Sequence, residues 1–229
     1  MRTTSDKEMI ARGGRVGQVA NLMGMVMVLG GLLASFTPWK VITVVLIILG
    51  VVMYTIGNRG LEQATREPRL IQQLEEALRG FDDRYHLYNH LLPGDHVLLT
   101  PHGVFVLVVR GMDGKIRCFK NKWLRDFSLR RLLRFFTEEP LGNPTREAQR
   151  QVEKVQEYIE ERSPEAEVEV QAVIAFLNPE ARLEVTGSSV PVLPLRRLRS
   201  YIRKASQQQE IAPETLAALT ELFDQAPRA

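Results

Sequence analysis

The sequence predicts an α/β protein: a mixed sheet flanked by helices, preceded by a two-helix transmembrane hairpin. Three observations carry this reading. Val104 to Val109, VFVLVV, is apolar at every position, so it belongs to a central strand covered on both faces. Apolar residues recur at helical spacing at Leu70, Ile71, Leu74, Ala77 and Leu78, and again at Ala148, Val152, Val155 and Ile159. Two runs, residues 16–36 and 41–57, are almost free of polar side chains over about the length that crosses a hydrocarbon core.

The 229 residues leave room for one ordinary domain plus an accessory segment, and the 45% apolar content is that of a folded chain. The net charge of +3 is mild. A single cysteine, Cys118, excludes an intrachain disulfide framework and suits a reducing compartment. It falls in a predicted strand and reads as a small core residue.

Residues 1–15 form a polar, basic arm with Arg2, Lys7, Arg12 and Arg15, expected to be mobile. Residues 16–57 form the hairpin, turned at Thr37-Pro38-Trp39-Lys40. Neither run has a polar face, which a water-exposed helix requires. A signal peptide is the rival for the first run, but a second span follows at once. Gly30 with Ala34, and Gly31 with Ser35, have the small-xxx-small spacing that lets helices approach, within the hairpin or between two copies of the chain. Trp39 and Tyr54 suit the interface. Basic residues before the first span and after the second (Arg59, Arg66, Arg69), against Lys40 alone in the turn, place both termini in the cytoplasm of an integral, multi-pass protein.

Residues 58–68 read as a polar linker, 69–204 as the main domain and 205–229 as a C-terminal helix and tail. Within the domain an amphipathic helix over 69–79 stops at Gly80, and Tyr85 to Leu92 is extended. The stretch GDHVLLTPHGVFVLVVRGMDGK, Gly94 to Lys115, gives two strands turned at Pro101-His102-Gly103, with Asp113-Gly114 as a further hairpin signal. Ile116 to Phe119 is a short strand. Residues 128–136, SLRRLLRFF, form an amphipathic helix capped by Ser128. A longer helix spans 145–162, a buried strand 168–177, short edge strands 183–185 and 190–192, and closing helices 195–204 and 213–223.

Asp95-His96, Gly103, Gly114, Trp123 and Asn143-Pro144 stand in the order found in the NERD (nuclease-related) domain. Roughly residues 70 to 200 resemble that family, a relative of the PD-(D/E)xK restriction-endonuclease-like nucleases. The resemblance implies a restriction-endonuclease-like fold and, where the pattern is full, a nuclease. In the family the second strand ends in Glu-x-Lys and the later helix starts Asn-Pro-x-x-Gln. Here Val108 stands for the Glu, Arg110 for the Lys and Glu147 for the Gln.

Such a nuclease gathers carboxylates around a divalent metal that activates water. Asp95 is well placed, and Val108 has no oxygen to offer. A relocated acid would make the set Asp95, Glu147 and Arg110, with Mg²⁺ or Mn²⁺ on Asp95 and Glu147; without activity no cofactor is expected. Glu75 or Glu76 could serve as an upstream acid. Otherwise Asp95 caps a turn and Glu147 is a first-turn helix acid favoured by the dipole. Arg110 is a permanent cation, a good phosphate binder and a poor proton carrier. His86, His90, His96 and His102 cluster in sequence, but their spacing matches no zinc signature.

Lys115, Arg117, Lys120, Lys122, Arg125, Arg130 and Arg131 form a basic stretch interleaved with Trp123, Phe127 and Phe135. It can meet the phosphates of DNA or RNA, or anionic lipid headgroups, or be a solvated face. Arg196, Arg197, Arg199, Arg203 and Lys204 pose the same choice. The expected protein is thus membrane-anchored, with an incomplete nuclease centre and a nucleic-acid or anionic-surface binding role. A metal-dependent nuclease with a relocated acid and a membrane scaffold are the alternatives. No nucleotide-binding glycine loop, nucleophile elbow or zinc signature is present in the sequence.

Overall fold

The computed structural model describes residues 1–36, 38, 40–126, 141–205 and 210–226. They fall into two compact units, Lys7–Arg69 and the remainder.

The first unit holds α1 (Lys7–Ala34) and most of α2 (Lys40–Ala77). The glycines decide how closely these helices lie. Gly17, Gly24 and Gly31 recur every seven residues on α1 and face α2. A Cβ on Gly24 would sit 2.4 Å from the Tyr54 backbone nitrogen, and one on Gly57 would sit 2.3 Å from that of Asn21. No side chain fits there, so backbone meets backbone. Of the small-residue pairs expected to make the seam, Gly31 does meet Ile47, but Gly30 has nothing within 4 Å.

Elsewhere the pair is coated with exposed Val19, Leu22, Val26, Leu29, Val44, Ile48 and Val52. Only 17% of each apolar window is buried, unlike the core helix of a water-soluble protein. Both helices are long and apolar enough to cross a membrane.

Two expected boundaries are corrected. Residues 58–68 are not a linker break: α2 runs through them, Pro68 included, and takes in the amphipathic segment to Ala77. Helix-forming residues sustain it, with an Arg66–Glu62 ion pair at 3.3 Å along the polar stretch. Nor is the basic arm a mobile tail. Arg2–Ser5 is a strand, β1, and α1 begins at Lys7.

In the second unit, β1 is an edge strand that pairs in parallel with β2 (His86–Asn89). Then follow β3 (His96–Thr100), β4 (Gly103–Arg110), β5 (Lys115–Phe119), β6 (Lys122–Arg125), α3 (Pro144–Arg162), β7 (Val170–Phe176), β8 (Arg182–Thr186) and β9 (Val192–Pro194). A 3₁₀ turn at Leu195–Arg197 leads into α4 (Leu198–Ala205), and α5 (Pro213–Asp224) ends the described chain.

The fold is mixed α/β. A six-stranded sheet has the order β1-β2-β3-β4-β7-β9, and a three-stranded sheet has the order β6-β5-β8. β4 lies between antiparallel β3 and parallel β7 with all but its last residue buried, as its apolar sequence requires. Its alternating side chains feed two cores. Val104, Val106 and Val108 join Ala148, Val155 and Ile159 of α3 and Leu219 and Phe223 of α5. Phe105, Leu107 and Val109 join Leu74 and Leu78 of α2 and Leu198 and Ile202 of α4. α5 thus contributes to the first core.

Asp113-Gly114 also departs from expectation. Gly114 takes a left-handed φ of 80°, yet β4 and β5 lie in different sheets and make no hairpin. The hairpin is β5–β6, turned by Lys120 and Asn121 with φ of 47° and 63° between the paired Phe119 and Lys122. The amphipathic helix expected at 128–136 lies outside the described residues.

Candidate functional site

The candidate site forms where the start of β3, the end of β4 and the first turns of α3 meet. Asn143 caps α3 by accepting the Arg146 N–H at 3.1 Å, and Pro144 opens the first turn. Trp123 of β6 donates its indole N–H to buried Thr145 at 2.8 Å, which ties the small sheet to the same helix start.

Asp95 lies just before β3, and its carboxylate reaches α3. Its Oδ2 accepts from the Gln151 amide at 2.7 Å, while the Gln151 carbonyl accepts the Asp95 N–H at 3.2 Å. The Asp95 carbonyl accepts the His90 N–H at 2.8 Å. Gly94 keeps this approach open, since a Cβ there would press on Val155 at 3.2 Å.

Arg110 ends β4 on the same sheet face and donates to Glu147 in the first turn of α3, where the helix dipole favours a carboxylate. The two side chains are only 11% and 26% exposed. Glu147 and Gln151 are one turn apart on α3. The site therefore gathers Asp95, Gln151, Arg110 and Glu147, but as two closed pairs.

Val108 stands two residues before Arg110 on β4, on the same face of the strand. Asp95, just before β3, is exposed. Val108 is 1% exposed and belongs to the core with Ala148, Ile174 and Phe176. A hard divalent cation needs several oxygen ligands. Here one oxygen of each carboxylate is committed, that of Asp95 to an amide and that of Glu147 to a guanidinium, and Val108 offers no oxygen, so as they stand these residues do not fit a Mg²⁺ or Mn²⁺ centre. Among the described residues, no three metal-ligating side chains that include Asp95 or Glu147 bring their ligand atoms within 4.8 Å of one another.

Glu75 and Glu76 line a shallow concavity of about 450 Å³ with Gln72 and Arg79. Their helix packs on the opposite sheet face, through Leu74 and Leu78. His96 Nδ1 lies 2.8 Å from Asn89 Oδ1 in a buried pair, His90 meets the His96 ring edge-on, His86 stacks near Tyr88, and His102 faces Glu210 at 3.8 Å.

The basic stretch divides in two. Lys115 pairs with Glu184 at 2.8 Å, Arg117 with Asp126 and Arg125 with Asp113 at 2.6 Å. Lys120 and Lys122 meet no carboxylate among the described residues. Arg130 and Arg131 lie outside those residues. On the second basic helix, the Arg199 guanidinium packs against Gly80, so it is committed to the fold.

Sequence reasoning did not single out Gln151. It was readable as the next polar residue, one turn beyond Glu147 on the same face of α3.

The family model for the nuclease-related domain, NERD, matches residues 62–177. This is just over half of the chain, and it takes in Asp95, Val108, Arg110, Glu147 and Gln151. No curated protein and no solved structure matches the chain. The chain belongs to the NERD, or nuclease-related domain, family.

Proposed function

We propose that this is a membrane-anchored NERD protein whose domain binds phosphate-bearing polyanions without cleaving them efficiently. The observation that carries the reading is buried Val108, together with an Asp95 that accepts from Gln151 and a Glu147 that pairs with Arg110. A hydrolytic centre needs carboxylate oxygens converging on metal and water; here Asp95 Oδ2 accepts from Gln151 and Glu147 Oε2 accepts from Arg110. Family membership supports phosphate chemistry; the side chains support binding over turnover.

The anchoring half of the reading is supported by the apolar coat of α1 and α2. The basic residues flanking the spans favour cytoplasmic termini. Lys120 and Lys122, which meet no carboxylate among the described residues, are cations available to a phosphate.

The test uses the full chain in nanodiscs of zwitterionic lipid, with inorganic polyphosphate as probe. Binding should weaken steeply as salt rises and fall several-fold in the Lys120→Gln/Lys122→Gln variant. Binding indifferent to salt and to both substitutions, or no binding, would overturn the proposal.

A further inference from the structure

In the second unit the described large apolar side chains left exposed are Phe119, Leu124 and Val185, and all three belong to the three-stranded sheet. The alternation of β5 and β6 explains two of them. Ile116, Cys118 and Trp123 point into the core, so Arg117, Phe119, Lys122 and Leu124 point outward. Phe119 lies opposite Lys122 and Arg117 opposite Leu124, so Phe119 and Leu124 are diagonal neighbours. They are 59% and 62% exposed.

Cations surround this apolar pair. Lys120 Nζ sits 5.5 Å from the Phe119 ring centre, and Lys122 stands across the ladder. Both lack an acidic partner among the described residues, whereas Lys115 and Arg117 are neutralised by Glu184 and Asp126. An aromatic and an aliphatic side chain between unpaired ammonium groups match the headgroup–acyl boundary of an anionic bilayer. The apolar pair can enter the boundary while the lysines meet phosphates. Single-stranded nucleic acid favours aromatic platforms for successive bases, and here one phenylalanine stands beside a leucine.

We propose that the outer face of the β6-β5-β8 sheet docks on anionic lipid of the membrane that anchors the chain. This inference rests on the anchoring reading above. A domain in the same chain as a membrane hairpin meets that surface at high effective concentration, so weak contacts suffice.

The test places a nitroxide at Thr186→Cys, beside Phe119 on β8, in a Cys118→Ala background of the full chain. The protein is reconstituted in phosphatidylcholine bilayers with and without phosphatidylglycerol. A second label at Val45→Cys, on the exposed apolar side of α2, reports the anchoring itself. Docking predicts that phosphatidylglycerol shields the Thr186→Cys label from an aqueous nickel chelate several-fold. High salt, Phe119→Ser or Lys120→Gln/Lys122→Gln should remove the shielding. Amide exchange of unlabelled protein over residues 115–125 should slow in parallel, which guards against a labelling artefact.

Equal accessibility in both lipids, with the Val45→Cys label in lipid, would overturn the docking and leave the anchoring intact. An aqueous Val45→Cys label would overturn both. Shielding by single-stranded DNA in neutral bilayers, with none from anionic lipid, would assign the face to nucleic acid and overturn the docking.

Discussion

Gln151 holds Asp95 by both ends of its amide, one helical turn beyond the Glu147 that pairs with Arg110. The carboxylate that would begin a nuclease centre is thus a hydrogen-bond acceptor tying a strand to a helix. On this account Asp95→Asn, which keeps an acceptor oxygen, changes stability little. Asp95→Ala or Gln151→Ala should cost about 1 kcal/mol. Denaturant unfolding of the full chain in micelles would measure all three. A loss for Asp95→Asn as large as for Asp95→Ala would show that the negative charge itself matters.

Val108 faces the core, so a glutamate there is a buried carboxylate. Val108→Glu should cost roughly 3 kcal/mol or more. In Val108→Glu/Arg110→Lys, Mn²⁺ should restore part of the melting temperature, because the acid and the lysine then stand where the family pattern has them. The wild type should show no such shift. Thermal melts with and without Mn²⁺ would check this, and stabilisation of the wild type by Mn²⁺ would count against the reading of the site.

The hairpin depends on Gly24 and Gly57, where backbone meets backbone, and not on Gly30, which faces open space. Gly24→Leu should therefore lower the melting temperature in micelles by several degrees or more, while Gly30→Leu should leave it nearly unchanged. Equal effects would contradict the seam.

Much of the fold was legible because its signals are local. VFVLVV announced the central strand, and the spacing from Ala148 to Ile159 announced α3. Asn143-Pro144 marked the start of that helix. What escaped depends on partners distant in the chain. β1 exists because β2 offers a free edge, which four polar residues do not announce. The seven-residue recurrence of Gly17, Gly24 and Gly31 was visible, but only the facing Gly50 and Gly57 make it a seam. At the site, the substitutions at Val108, Arg110 and Glu147 were readable. The closure of Asp95 by Gln151 needed the register of α3 against β3.

Tyr88 gives a pH-dependent test of the α5 packing. Burial pushes its phenol well above the ordinary range, and Asp224, which accepts its O–H at 3.2 Å, adds to the shift. A raised folded pKa means that the neutral phenol favours the fold below the unfolded value, about 10, and that this contribution is lost as pH climbs towards the folded value. The stability advantage of wild type over Tyr88→Phe should be constant below pH of about 10 and shrink above it. Denaturation curves of both proteins across that window would check this; a pH-independent difference would show that Tyr88 is not coupled to folding through its proton.

The most direct test of the central claim is a single-turnover cleavage assay. Excess full-length protein in nanodiscs would meet single- and double-stranded DNA and RNA, with Mg²⁺ or Mn²⁺. The account predicts no cleavage above background, and none that changes with Asp95→Ala or Glu147→Ala. Metal-dependent cleavage abolished by both substitutions would contradict it and establish a relocated active centre.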